Sequence, residues 1–368
     1  MTVSARIPVY LLTGFLGSGK TTLLNQWIQQ PAMSRTLVII NEFGAVSLDH
    51  LLVSHANEDI VVEIGSGCLC CTIRGDLAKT LRDAVWRFAR EGQRQFDRVI
   101  IETTGLADPA PVIHTLLTDD KLFQQYRLQG VVTTVDAVNG AATLQRHPES
   151  QKQVGVADVI LLTKTDLLTT ATELESLTAL QQRLTTMNPS ASLRVQAQDE
   201  FRSEELLALD HMEPVASATP VQQWLNVNAF RPQAPMVASG TLALRDFATE
   251  QPSAEQLNRH DDHIQAHCFI FEHPFQEGRF EGWLQIVMQL MGHNLLRVKG
   301  LVHLAGYPGP MLIHGVQHVF HPTAMLPEWP DDERTTRLVF ITYDIDRDTL
   351  ARTFELFLPN SASSHSIA

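Results

Sequence analysis

Two patterns of apolar spacing alternate along the first half of the chain. Short runs rich in Val, Ile and Leu occur at 7–12, 36–41, 60–64, 98–102, 130–136 and 159–163, and are expected as strands. Residues 22–29, 74–90 and 174–184 instead carry apolar side chains every three to four positions, as in Leu77, Leu81, Val85 and Phe88. These are expected as helices. Strands apolar on both faces and separated by helices imply βαβ units and a mainly parallel sheet covered on both sides.

The pattern breaks near His211. Between His211 and Asp262 stand Pro214, Pro220, Pro232, Pro235 and Pro252 among Ala, Ser and Gln. This reads as a linker with short helical pieces around Trp224 and Leu257. From His263 a second set of runs follows, strand-like at 266–271, 295–304, 311–320 and 337–343 and helical at 278–291 and 348–356. The expected organisation is an α/β domain over 1–210, a linker over 211–262, a small α+β domain over 263–358 and a disordered tail over 359–368.

The chain has 368 residues, about two domains at roughly 150 residues each. With 44% hydrophobic and 19% charged residues it is not a disordered chain. No apolar run approaches about 18 residues, so no membrane partner is expected. Lys and Arg minus Asp and Glu is 28 − 41 = −13, an acidic balance that argues against a nucleic-acid partner. The N-terminal stretch lacks a secretory pattern, and four cysteines are too few for a disulfide scaffold. A reducing, cytoplasmic location is expected.

Chemistry enters at the end of the first strand. Residues 14–21 read GFLGSGKT, a complete G-x-x-x-x-G-K-[ST] loop between a strand and a helix. Gly14, Gly17 and Gly19, with Ser18 among them, let main-chain N–H groups converge on phosphate oxygens. The helix entered through Lys20 and Thr22 adds its positive end. Lys20 is a point charge for the β- and γ-phosphates, and Thr21 offers a hydroxyl to Mg²⁺. The first domain is therefore expected to be a P-loop NTPase domain with a mainly parallel sheet.

A second Mg²⁺ element should close a buried strand, and VIIETTG at 99–105 supplies it. Glu102 would hold a Mg²⁺-bound water or orient the attacking water, and Gly105 would offer an amide to the γ-phosphate. Leu106 stands where Ras-like switches carry a water-orienting Gln. Slow intrinsic hydrolysis is expected, with the site completed by a partner or by self-association. TKTD at 163–166 suits guanine. The Asp166 carboxylate accepts from N1–H and N2–H, which adenine lacks, and the Lys164 stem lies along the base. Thr163 replaces the Asn of the usual N-K-x-D. Residues 192–198 fall where a further base-contacting loop would lie.

GCLCC at 67–71 is the most unusual stretch. Thiolates are soft ligands and favour Zn²⁺ or Cu(I) over Mg²⁺. In an extended strand Cys68 and Cys70 share one side and Cys71 takes the other, so a common ion requires the backbone to turn. Gly65 and Gly67 permit that. Three thiolates leave a tetrahedral ion one position short, which suits cargo that must leave again. The opposite reading is three reduced, buried cysteines packed as small apolar residues. Ten of the fifteen histidines lie at or beyond His260. His260, His263 and His267 are spaced to share an ion, although surface and half-buried histidines are the plainer reading.

Taken together, these residues resemble the CobW-type P-loop GTPases. The resemblance rests on GFLGSGKTT at 14–22, NEFG at 41–44, Asp49, GCLCC at 67–71 with RGDL at 74–77, and ETTGLADP at 102–109. TKTD at 163–166, LLRVKGLVHLAG at 295–306 and HGVQ at 314–317 extend it. It implies low GTPase activity, Zn²⁺ (or Co²⁺, Fe²⁺ or Ni²⁺) on Cys68, Cys70 and Cys71, and delivery to a client metalloprotein. It also implies that 41–49 is the first switch, with Asp49 near Mg²⁺ or the attacking water. Ala45 stands where many members carry Glu, and their dense His-rich linker is reduced here to scattered histidines around His260.

The expectation is a metallochaperone in which GTP and Mg²⁺ order residues 41–49 and 67–74 and so set the geometry of the thiolates, with GDP relaxing it. Two rivals stand beside it. One is a P-loop kinase or ATPase with structural cysteines. The other is a metal buffer or stress sensor with incidental GTP turnover.

Overall fold

A computed structural model describes residues 6–41, 61–63, 70–195, 203–207, 225, 263–317, 319–320 and 323–357. The first part of the chain forms β1 (Ile7–Gly14), β2 (Thr36–Asn41), β3 (Val61–Glu63), a small ribbon of β4 (Ala89–Arg90) and β5 (Gln93–Arg94), β6 (Arg98–Thr103), β7 (Tyr126–Asp136), β8 (Val159–Thr163) and β9 (Ser192–Val195). Apart from the ribbon these make one sheet in the order β3-β2-β6-β1-β7-β8-β9, with every neighbouring pair parallel.

Its helices are α1 (Lys20–Ile28), α2 (Cys70–Arg87), α3 (Ala110–Thr118), α4 (Asp120–Gln125), α5 (Gly140–Arg146), α6 (Pro148–Gly155), α7 (Ala171–Met187) and α8 (Ser203–Leu207). Alternate strand residues face opposite layers. Val9, Leu11, Ile39 and Ile101 pack with Leu81, Ile113 and Leu184, while Tyr10, Leu12, Val38 and Ile100 pack with Leu23, Leu24 and Trp27 of α1. This is the P-loop NTPase fold expected from the pattern. Because the strands run parallel, the loops leaving β1, β6 and β8 all emerge at one edge.

Three local expectations are corrected. The helix expected over 74–90 begins at Cys70 and ends at Arg87. Its first turn falls on the cysteine segment, ahead of the helical apolar period, and its far end is cut by the ribbon, whose turn needs positive φ at Glu91 and Gly92. The run 311–320 is two strands, not one, and Val316 pairs back on Val319. Of the base-contacting loop expected over 192–198, residues 192–195 are an edge strand and 196–198 lie outside the described residues.

The second part builds β10 (Ile264–Phe271), α9 (Glu277–Met291), β11 (Leu295–Val302), β12 (Met311–Val316), β13 (Val319–Phe320), β14 (Ala324–Met325), β15 (Thr336–Tyr343) and α10 (Arg347–Phe357). Its antiparallel sheet runs β10-β15-β11-β12-β13, with β14 also on β12. Phe269, Phe280, Trp283, Phe340 and Phe354 fill the space between this sheet and its two helices. The tail expected over 359–368 and the linker expected over 211–262, apart from buried Leu225, lie outside the described residues.

The opposite face of the second sheet closes on the first domain. A register shift between Leu295 and Arg297 accompanies the division of this strand between the two cores. Leu295 packs among the aromatic residues, whereas Leu296 joins the first domain's core together with Ile264, Val316 and Ile341. A Cβ on Gly155 at the end of α6 would stand 2.5 Å from Leu296 Cδ1, so the bare glycine lets α6 lie close against this side chain. Beside it, buried Arg297 donates to Val156 O and to the Asp158 carboxylate, and Lys299 Nζ lies 3.7 Å from Asp158 Oδ1.

Candidate nucleotide site

The phosphate loop leaves β1 through Gly14, whose φ of 140° and tight surroundings exclude a side chain: a Cβ there would stand 2.3 Å from Thr134 Oγ1. Gly17 and Gly19 also hold positive φ, 69° and 90°. α1 follows directly, and no side chain caps its N-terminus, which leaves its first amides for an anion. Lys20 is buried and its Nζ donates to Phe15 O across the loop at 3.1 Å. Thr22 is exposed on the first turn of α1.

Hydroxyl groups at the strand ends hold the loop from below. Ser18 Oγ and Thr134 Oγ1 lie 2.6 Å apart, Thr103 Oγ1 donates to Thr13 Oγ1 at 2.8 Å, and Thr163 Oγ1 donates to Ser18 O at 2.7 Å. Thr163, the departure from N-K-x-D, thus ties the loop after β8 to the phosphate loop. The same hydroxyl also lies 3.3 Å from Val135 O, so its one donor is shared between two carbonyls.

Glu102, near the end of β6, is buried, and its Oε1 accepts from Thr21 Oγ1 at 2.7 Å. Thr104 Oγ1, two residues on, is buried and takes no hydrogen bond among the described residues. A hydroxyl and a carboxylate facing one another are hard oxygen donors of the kind Mg²⁺ takes beside phosphates, so the residues present fit that ion. Gly105 is buried against the loop: a Cβ on it would stand 2.5 Å from Leu16 N and 2.6 Å from Leu16 Cα.

Lys164, held at φ 59°, forms an ion pair with Asp136 at 2.8 Å. Asp136 ends β7 and also accepts from the amides of Val138 and Asn139 and from Asn139 Nδ2. Burial pushes its carboxyl up, but the hydrogen bonds from Lys164 and Asn139 outweigh this and hold it below the usual carboxylate range. Asp166 is exposed in the short turn Thr165–Leu167. A cavity of about 250 Å³ opens beside the loop, bounded by Phe15, Ser18, Asp136, Asn139, Gln153 and Lys164. Asp136 and Gln153 were missed by sequence reasoning. The only hint was a polar residue closing an apolar run.

Of the remaining candidates, Asp49 and Cys68 lie outside the described residues, as do residues 42–49 of the expected first switch. Cys70 and Cys71 stand in the first turn of α2, not in an extended strand. Of the expected histidine trio, His260 lies outside the described residues, His263 pairs with Asp344 and His267 Nε2 lies 3.0 Å from Ile345 O, while His314 Nε2 lies 3.2 Å from Arg297 Nη2. Among the described residues no group of three His, Cys, Asp or Glu is placed to hold a metal, and no described helix is long and apolar enough to cross a membrane.

Residues 8–194 match the nucleotide-binding domain of the CobW/HypB/UreG family, and residues 264–358 match the cobalamin synthesis protein cobW C-terminal domain. The chain belongs to the CobW/HypB/UreG family. It is 30% identical over 350 residues to the zinc chaperone YjiA of Escherichia coli, covering 95% of this chain and 98% of that protein. It is 29% identical over 382 residues to the zinc chaperone CobW of Pseudomonas aeruginosa, covering 95% and 91%. The crystal structure of Zn(II)-bound YjiA GTPase from E. coli superposes with a TM-score of 0.61 at 26% identity, over 96% of this chain and 99% of that one.

Proposed function

We propose that this chain, a GTPase of the CobW type, is a metallochaperone that carries zinc or a related transition metal on Cys68, Cys70 and Cys71 and delivers it to a client metalloprotein under the control of GTP. The observation that carries the reading is one of topology. β3 ends at Glu63 and α2 begins at Cys70. Both flanks of the cysteine segment therefore belong to the sheet edge that also carries the phosphate loop and Glu102.

In this reading the amides of residues 14–21 bind the phosphates, with Lys20 as their counter-charge. Thr21 and Glu102 would hold Mg²⁺, which neutralises phosphate charge when bound. Gly105 offers an amide to the γ-phosphate, Asp49 serves Mg²⁺ or the attacking water, and Asp166 with Lys164 selects guanine. With Leu106 in place of a glutamine, turnover is slow until a client or a second copy of the chain completes the site. Three thiolates with an open fourth position suit a cargo ion. Supporting this, full-length relatives are zinc chaperones.

The test is metal analysis of protein purified without chelators, followed by zinc titration of the apo, GDP-bound and GppNHp-bound forms. One zinc per chain is expected, absent from the Cys68/Cys70/Cys71→Ser variant, with affinity that differs between nucleotide states. Equal affinities in all three states refute the coupling.

A further inference from the structure

Gln153 lies on α6, outside every motif of the family. It is fully buried, and its carboxamide nitrogen donates to two carbonyls of the turn after β6: Gly105 O at 3.1 Å and Ala107 O at 3.0 Å. The turn itself is closed by Ala107 N donating to Thr104 O at 3.1 Å. On the preceding residue, Lys152 pairs with Asp108 at 3.5 Å. The backbone of Gln153 is anchored as well, since its carbonyl accepts from Thr133 Oγ1 at 2.8 Å.

The Gln153 Oε1 atom is buried and accepts no hydrogen bond among the described residues. An unpaired buried acceptor costs stability, and a leucine of similar size would avoid that cost. What a leucine lacks is the pair of N–H donors, and both of them reach the turn. Gly105 has no side chain to restrain it, because a Cβ would collide with the phosphate-loop backbone at Leu16. Its peptide planes must be held from outside, and glycine loses the most freedom when held.

We propose that Gln153 is a positioning residue for GTP turnover: its carboxamide clamps Gly105 and Ala107 so that the turn lies against the phosphate loop in its productive arrangement. The same helix ends at Gly155 against Leu296, so the element that clamps the turn is also the seat of the C-terminal sheet. This inference rests on the GTPase activity alone, and metal loading of the cysteine segment does not enter it.

The test compares Gln153→Leu and Gln153→Glu with the wild-type chain, measuring kcat at saturating GTP, affinity for a fluorescent GDP, and thermal unfolding. Losing about one hydrogen bond's worth of positioning lowers kcat about tenfold in Gln153→Leu, a larger effect than the change in GDP affinity. In Gln153→Glu, burial beside two carbonyl oxygens raises the new carboxyl's pKa. Its kcat is therefore lowest at high pH and recovers as the pH falls, when the protonated acid regains one O–H donor. Wild-type enzyme lacks that acid recovery. If Gln153→Leu fails to fold, the pH profile of Gln153→Glu decides. A folded Gln153→Leu protein with wild-type kcat, or a Gln153→Glu protein whose kcat follows the wild-type pH profile, overturns the proposal.

Discussion

At the seam between the two domains a single carboxylate faces two buried cations. Arg297 and Lys299 are 1% and 2% exposed, and both approach Asp158, whose Oδ2 also accepts from Val131 N at 3.0 Å. The guanidinium does not give up its proton at any accessible pH, so the ammonium bears the mismatch. Burial, and after it the charge of Arg297, pushes Lys299 down to about 7 from its ordinary 10.5. Between those values the unfolded chain holds a proton that the folded chain lacks, so stability rises with pH in this window and is flat below it. The slope approaches about 1.4 kcal/mol per pH unit, and the gain between pH 7 and 9 is about 2 kcal/mol. Lys299→Met removes the titrating group and nearly conserves volume. Urea unfolding of both proteins at pH 7, 8 and 9 should show wild type gaining about 2 kcal/mol on the variant, at constant m. Parallel stability curves would mean that Lys299 stays charged in the fold, and would refute the reasoning that burial outweighs its share of Asp158.

Three further outcomes are expected. Gly105→Ala puts a Cβ 2.5 Å from a main-chain nitrogen that cannot swing aside, so GTP turnover should fall about tenfold or more, measured as phosphate release. Wild-type turnover would show that the turn does not lie on the loop. Asp166→Ala should reduce the preference for GTP over ATP by about a hundredfold in a competition assay, the worth of a charged acceptor facing two guanine donors. Lys164→Met should lower the melting temperature at neutral pH. Asp136, held below its ordinary range, contributes stability that is present above the unfolded carboxylate pKa and lost as pH falls through the folded one. The variant and wild-type curves should therefore converge in acid, and a gap that persists at low pH would count against the pairing.

The phosphate loop could be read directly because its chemistry is contiguous: eight neighbouring residues carry the glycines, the lysine and the hydroxyl. The strand that presents Glu102 was equally plain, since an apolar run closed by an acid and a glycine is a local pattern. The short helices α3 to α6 were not anticipated, because six to nine residues hold too few turns for a helical period to stand out. Thr163 was visible only as a departure from the usual Asn, and the tie that its hydroxyl makes to Ser18 came from the fold. The Lys164 stem was expected along a base, and its Nζ also meets Asp136, 28 residues away in the chain.

Local order along the chain was therefore enough to specify the nucleotide-binding class, the parallel layers and the glycine-rich loop between β1 and α1, because each rests on spacing over a few turns or strands. Folding in three dimensions chose the partners: Gln153 for Gly105, Asp136 for Lys164, Asp158 for Arg297 and Lys299. A buried polar group bonds to whatever the packing of β7, α6 and the C-terminal sheet brings within about 3 Å, and that proximity is a property of the assembled core that no stretch of sequence contains.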